Sequence, residues 1–529
     1  MKNFKENFVD NVNTLVETAL TGLTCVPLGP RYAEMSYADA STNLLIYRAK
    51  KHFQRPSDVD SSQRRLTTIE QNLTFDRKGP SLDLSATACM MGVDEYTRSQ
   101  LYKTRQTIHD VLHRYFKFDV SKLRMPSGET LVPAKGDVSV AAKMRDVSQW
   151  CVTADCFDLA ATVIYRTPAL KQMARKHIGT ISHEEMANLY FAFSNYRDVG
   201  YRVFRELLLT FVTIVEGARV STVPKSNDID RMISCEPMLN MIVQSVIEEG
   251  IRDCVKKEFN IDLRNSQFTH KAFTTYLENA TIDLSNASNS NWFSTMEFLY
   301  PKFVFKLLEA ARSPQLSDDD HAHALNMLAP MGNGFTFGVM TFTLLCAARQ
   351  YDSFAHVFGD DIIIDRDVAP AFIDLLDVLG YKLNEEKTFM QGTFRESCGS
   401  FTSHGVPITT FKWEWATNNV EAIALVNKIT VLSRVHKLAW LDKLSTSLLG
   451  ITPSLWKKWV PSIDAELFYD DYASLSVTGN YVIITSNSQV RKLREDSEYR
   501  AFREAIMATK SVKRFLRESQ IQNTNYYPY

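Results

Sequence analysis

Three carboxylates stand out by type and spacing. Asp360 and Asp361 follow Gly359 between two apolar runs, ending at Phe358 and resuming at Ile362. Apolar runs around a Gly/Asp turn predict a hairpin, whose tip would carry two adjacent carboxylates. Like charges so close are costly unless cations sit beside them. Magnesium takes oxygen ligands and keeps some of its waters, so an Asp pair suits it. A Gly-Asp-Asp triplet arises by chance about 0.1 times in a chain of this length at average residue usage, so a second element must support the reading. Asp283 supplies it, closing the apolar stretch Ala280-Thr281-Ile282. On its own Asp283 could equally cap a helix. If its strand lies beside the hairpin, three carboxylates converge and can hold two metals about 4 Å apart, as in-line phosphoryl transfer requires.

Between these acids lies Met331-Gly332-Asn333-Gly334. Glycines let backbone approach a ligand, and Asn333 offers both a donor and an acceptor, suited to a ribose hydroxyl. The same stretch also serves as a turn into a buried helix. Upstream, residues 221–231 read as a polar loop carrying Lys225 and Arg231. Arginine gives bidentate contacts to phosphate and lysine a mobile point charge; alone, the pair would read as a solvated loop.

These residues need elements to hold them. Residues 280–284 predict a strand ending in a carboxylate, 335–348 a buried helix entered through a glycine turn, and 354–364 a hairpin. Residues 370–379 predict a helix with Pro370 in its first turn, Gly380 as its stop and Phe372, Leu375, Leu376 and Leu379 on one face. Residues 238–258 predict another helix. Residues 185–217 read as helices with Phe191, Phe193, Phe204, Leu207, Leu208 and Phe211 as core. Residues 44–78 mix basic and aromatic side chains, a pattern that grips phosphates and stacks bases but also decorates ordinary surfaces. Residues 490–529 carry nine basic against five acidic residues and end in a loose tail.

The whole-chain numbers set bounds. At 529 residues, and about 150 per domain, the chain suggests three or four domains. Hydrophobic residues at 45% and charged residues at 23% exclude disordered, collagen-like and coiled-coil classes. Lys+Arg 60 against Asp+Glu 61 lacks the simple signature of a nucleic-acid binder, but allows a basic groove balanced by acidic patches. The start has no apolar signal core, and the uncharged stretch 324–348 is broken by Pro330 and Gly332, so no membrane span is expected. Eight cysteines without zinc spacing predict reduced, mostly buried thiols, and His321 and His323 read as a polar loop.

Taken in order, the blocks resemble the motifs of a template-directed RNA polymerase. Val223-Pro224-Lys225 through Arg231 and Glu236-Pro237 is similar to motif F, Thr281–Ser288 to motif A, Met331–Phe337 to motif B and Phe358-Gly359-Asp360-Asp361 to motif C. Asn384–Phe389 resembles motif D, and Phe394–Gly399 the start of motif E. The wording resembles most the replicase β subunit of the single-stranded RNA bacteriophages (leviviruses, the Qβ type), over roughly residues 220–400.

The resemblance implies an α+β right-hand polymerase with fingers, a palm of antiparallel sheet packed on helices with a ferredoxin-like core, and a thumb. Residues 1–220 would form the N-terminal region and fingers, 221–268 fingers with motif F, 269–393 the palm, and 394–529 motif E with a mainly helical thumb. It implies Asp283, Asp360 and Asp361 as ligands for two Mg2+ ions, with Mn2+ as a substitute. Lys225 and Arg231 would contact the incoming NTP, and Gly332, Asn333 and Ser288 would line the ribose site. Lys387 would protonate pyrophosphate. Phage relatives usually carry Asp where this chain has Asn289, one negative charge fewer near the sugar. Implied partners are template and product RNA, NTPs, and host elongation factors Tu and Ts with a small-subunit ribosomal protein, in the cytoplasm of an infected bacterium and with no membrane. A reverse transcriptase shares the acid triad, though Gly359 and Asn333 favour ribonucleotides. A non-catalytic RNA-binding or assembly protein with a degenerate palm is the alternative of another class, against which the intact triad, Lys225 and Arg231 argue.

Overall fold

The computed structural model describes residues 2–55, 61–79, 92–124, 128–133, 140–225, 230–318 and 321–452. The basic tail expected at 490–529 lies outside them. Helices and small sheets are interleaved, the α+β class expected.

At the centre is a three-stranded antiparallel sheet. Asp361–Asp365 lies in the middle, flanked by Asn279–Ile282 and His356–Phe358. The hairpin forms where apolar runs flank a two-residue turn, since Phe358 pairs with Asp361. Gly359 takes φ +66°, the left-handed conformation such a tight turn needs at its first position. The first flanking strand breaks at Asp283, and Leu284–Ser285 then pairs with Lys382–Leu383.

Helices bury this sheet. In Thr336–Ala348 every residue except Phe337 is buried, as its uniformly apolar composition requires. It packs against the long helix Met238–Phe259 and against Glu95–Tyr115. Met238–Phe259 carries a buried polar row, Asn240, Gln244 and Glu248, spaced by four residues and so on one face. Ala369–Val378 begins with Pro370 in its first turn and is followed by Gly380 at φ +86°, as the sequence predicts.

Where a polar loop was expected at 221–231, the described residues are mostly strand, and 226–229 lie outside them. Ala218–Pro224 and Asp230–Cys235 form an antiparallel ladder with Val223 opposite Arg231. Gln315–Ser317 pairs with the first of them in parallel, and Ala322–Ala324 extends the sheet. His323 therefore sits on a strand, held by the buried Asp76 carboxylate at 2.9 Å. Residues 185–217 are not all helical: Thr213–Val215 is a strand. Phe191 is 82% exposed, on a helix that buries none of its side chains. Phe204 and Leu208 are buried as expected.

A separate apolar core joins the two ends of the described chain. Phe8, Val12, Val16 and Leu20 make one stripe of the first helix, Lys2–Thr21, and pack against Asn419–His436 and Ala439–Ile451. Buried Asn13 fixes the register by donating to the Ala416 carbonyl (2.8 Å) and accepting from its N–H (3.1 Å). Among the described residues no helix is long and apolar enough to cross a membrane, and the cysteines are free thiols, mostly buried.

Candidate active site

The central sheet brings the three acids together. Ile362 pairs with Ile282, and Asp361 and Asp283 are the residues just beyond that last pair, where the Asn279–Ile282 strand breaks. The charges of Asp360 and Asp361 act on Asp283. Asp360 is the second residue of the turn beside them.

Asp283 and Asp360 carry the electrostatic mark of crowding. Burial, then the charges of Asp360 and Asp361, push Asp283 up to about 6 against the pull of Lys387 and Asn384. Asp360 is raised by burial first and by Asp361 next. Asp283 Oδ2 accepts from Asn384 Nδ2 (2.6 Å) and faces Lys387 Nζ at 3.7 Å. Asp361 Oδ1 accepts from the Cys398 N–H (2.8 Å) and the Ser397 hydroxyl (3.0 Å).

A fourth acid completes the floor. Glu396 is buried, with Oε2 at 4.0 Å from Lys387 Nζ, and is pushed up to about 8 by burial despite that lysine. Burial acts to lower the pKa of Lys387, but the charges of Glu396, Asp283, Asp361 and Asp360 outweigh it and hold the ammonium above its ordinary value. Among the described residues no group of three or more His, Cys, Asp or Glu side chains is already gathered as a metal cage. The donor set nevertheless fits a divalent cation: hard carboxylate oxygens at a hairpin turn and a neighbouring strand end, in a floor whose excess negative charge Lys387 offsets only in part.

Two cations lie within electrostatic reach of the acids. Lys225 and Arg231 are exposed at the end of their hairpin. Lys225 is held below the ordinary lysine value, by desolvation first and then by Arg231, Lys387 and Lys51, with Asp283 pulling the other way. Arg231 is near enough to Asp360 to favour its ionised form.

The glycine turn is clamped from beneath. Gly332 takes φ +106°, and a Cβ there would lie 2.3 Å from the Ser234 carbonyl oxygen. Gln244 accepts from the Gly334 N–H (2.9 Å), and Glu248 from the Gly338 N–H (3.0 Å), one of the first-turn donors a helix cannot satisfy itself. Glu236 is completely buried and accepts from Ser234 (2.7 Å), Ser313 (2.7 Å) and Gln244 (3.1 Å). Asn333 has a structural duty, its Oδ1 accepting from the Phe335 N–H at 3.1 Å. Its buried Nδ2 makes no hydrogen bond of normal length among the described residues, although it faces Glu236 and favours that group's ionised form.

The sugar-side residues are less uniform. Ser288 is half-buried, and its carbonyl accepts from Asn291 Nδ2 at 2.9 Å. Asn289 donates to Asn72 Oδ1 at 2.8 Å, which ties this segment to the helix Ser61–Arg77. An aspartate at 289 could not make that bond without reversal of the Asn72 amide. Sequence reasoning gave no site role to Asn72, Gln244, Glu248, Ser397 or His270; only the four-residue spacing on Met238–Phe259 offered a local signal.

A family model described as RNA replicase, beta-chain matches residues 161–519. The RNA-directed RNA polymerase subunit beta of Qbeta virus (strain MX1) is 33% identical over 232 residues, 42% of this chain and 39% of that protein. The protein of the same description from Enterobacteria phage SP is 34% identical over 292 residues, 51% of this chain and 49% of that one. The RNA-directed RNA polymerase beta chain of Escherichia phage MS2 is 32% identical over 256 residues, 47% of this chain and 45% of the relative. The chain thus spans less than half the length of each of these relatives. Among solved structures, the Sicinivirus 3Dpol RNA dependent RNA polymerase overlaps 58% of this chain and 75% of that one, at TM-score 0.33 and 12% identity.

Proposed function

The chain belongs to the RNA replicase β-chain family, and from that membership we propose that it synthesises RNA on an RNA template. The reaction is attack of a 3′-hydroxyl on the α-phosphorus of an NTP, with release of pyrophosphate. The observation that carries the reading is that Asp283 and Asp361 lie just beyond the last pair of the central ladder beside Asp360, with Lys225 and Arg231 near enough to act on Asp283 and Asp360.

Asp283, Asp360 and Asp361 would hold two divalent ions, Mg2+ with Mn2+ as a substitute. Bound there, the ions supply Lewis-acid activation of the attacking hydroxyl and charge stabilisation of the leaving group. The chain's own residues do the rest. Arg231 and Lys225 neutralise the triphosphate and orient it. Lys387 is kept protonated by the surrounding acids, a state that suits it to donate a proton to pyrophosphate. Gly332 allows close backbone approach, and Asn333 and Ser288 face the ribose. Pairing with the template chooses the base.

Residues 1–220 would serve as N-terminal region and fingers, 221–268 as fingers with motif F, 269–393 as palm, and 394–529, of which 453–529 lie outside the described residues, as motif E and thumb. Host elongation factors Tu and Ts and a small-subunit ribosomal protein join the chain in the bacterial cytoplasm, which co-purification from infected cells tests. The decisive experiment supplies purified protein with a primed RNA template, Mg2+ and labelled NTPs or dNTPs. NTP incorporation that Asp360→Asn abolishes is expected. Near-wild-type incorporation by Asp360→Asn overturns the site, and a preference for dNTPs overturns the substrate.

A further inference from the structure

Beneath Asp361 runs a buried chain of polar side chains to which the catalytic reading gives no role. Ser397 Oγ lies 3.0 Å from Asp361 Oδ1 and 2.7 Å from His270 Nε2. His270 Nδ1 lies 3.0 Å from His356 Nδ1. His270 is 0% exposed and His356 6%. The members come from four elements: the strands holding Asp361, His356 and Ser397, and the helix Ser266–Phe273.

The direction of each bond follows from the inventory of hydrogens. A carboxylate only accepts, so the single hydrogen of Ser397 goes to Asp361. With its hydrogen committed, Ser397 Oγ must accept from His270, so His270 carries its proton on Nε2. Burial drives His270 down to about 3 and His356 to about 4, so both rings are neutral near pH 7. A neutral His270 protonated on Nε2 has a bare Nδ1, which must accept from His356 Nδ1–H. One carboxylate at the surface of the cleft thus dictates two tautomers beneath it.

We propose that His270 and His356 are positioning residues for Asp361. The relay from His356 through His270 and Ser397, together with the Cys398 N–H on the same Oδ1 and the Cys398 thiol that also bonds Asp361, fixes the carboxylate rotamer in which it would meet a metal. Outer partners of this kind orient a ligand before the ion arrives, and their loss typically costs 10- to 100-fold in affinity or activity. The proposal rests on the metal-dependent reading of the site.

Two measurements test it without nucleotide incorporation. In unmodified protein carrying 15N-labelled histidine, His270 is expected in the Nε2–H form and His356 in the Nδ1–H form. A His270 protonated on Nδ1 overturns the relay. The second measurement is Mn2+ titration followed by the ion's own paramagnetic signal. His270→Leu and Ser397→Ala are expected to weaken binding about 10- to 100-fold, and His270→Gln, which keeps an N–H donor, to restore most of it. Unchanged affinity in His270→Leu and Ser397→Ala overturns the proposal. If a variant does not fold, the tautomers of the unmodified chain still decide. A chain that shows the expected tautomers and binds Mn2+, yet makes no RNA, refutes the polymerase reading and leaves the relay standing.

Discussion

The two walls of the cleft are built on opposite terms. On the acid side, Asp361 begins the central strand and Asp283 sits at the break between two strands, and each has named donors from Asn384 or from Ser397 and Cys398. On the cation side, Lys225 and Arg231 stand exposed at the end of a hairpin. The acid wall meets the cost of burying like charges during folding, so its geometry is set before any ligand arrives. The cation wall stands at the exposed end of a hairpin, with Lys225 partly desolvated and crowded by other cations, so an incoming triphosphate would supply the counter-charge it lacks. The difference teaches that one site can separate a fixed electrostatic frame from an exposed grip.

The comparison makes predictions that can break it. The largest effect belongs to Asp283→Asn, expected to lower nucleotide incorporation by about 10³-fold, in the range for loss of a preorganised electrostatic group. Because burial and like charge disfavour its ionised form, the same variant should melt no lower than the parent in metal-free buffer; a clear fall in Tm would contradict the strained-acid picture. Next is Gly332→Ala, where a Cβ meets backbone at 2.3 Å and the φ is +106°. It is expected to cost about 3 kcal/mol, read as a lower Tm together with lost activity.

On the exposed side, Arg231→Ala should raise KM for NTP about 10- to 100-fold, the worth of a charge-assisted hydrogen bond, with Tm unchanged within a degree. A Tm loss as large as that of Gly332→Ala would erase the distinction between the walls. The smallest effect is acid sensitivity. His270 and His356 have folded pKa values of about 3 and about 4, below the unfolded value of about 6.5. The unfolded chain therefore binds protons first, and stability present above pH 6.5 is lost as pH falls toward the folded values. At pH 6 the loss is about 0.8 kcal/mol per histidine. Tm measured from pH 7.5 to 5.5 should fall less steeply in His270→Gln than in the parent.

What the sequence revealed was local. The hairpin is legible because Gly359-Asp360 sits between two apolar runs, and Pro370 and Gly380 mark both ends of a helix. Asp283 reads as a strand end because the apolar stretch stops there. The partners were not legible. Ser397 and Asp361 are 36 positions apart, His270 and Ser397 127, and no period links them. The strands around Lys225 and Arg231 were hidden by polar residues on a half-exposed ladder. Phe191 misled because an aromatic in a helical pattern implies a core, and its helix has none beneath it.

One packing feature bears on how the molecule is made. Asn13 pairs with Ala416, 403 residues later, and the stripe Phe8, Val12, Val16 and Leu20 has its cover in the helices 419–436 and 439–451. At a synthesis rate of about 5–20 residues per second, the first helix waits roughly 20–80 s for its partners to leave the ribosome. During that interval a sticky apolar face is open to whatever surrounds the nascent chain. The stripe on Lys2–Thr21 is thus made long before its cover, which makes it a natural place for a chaperone to hold.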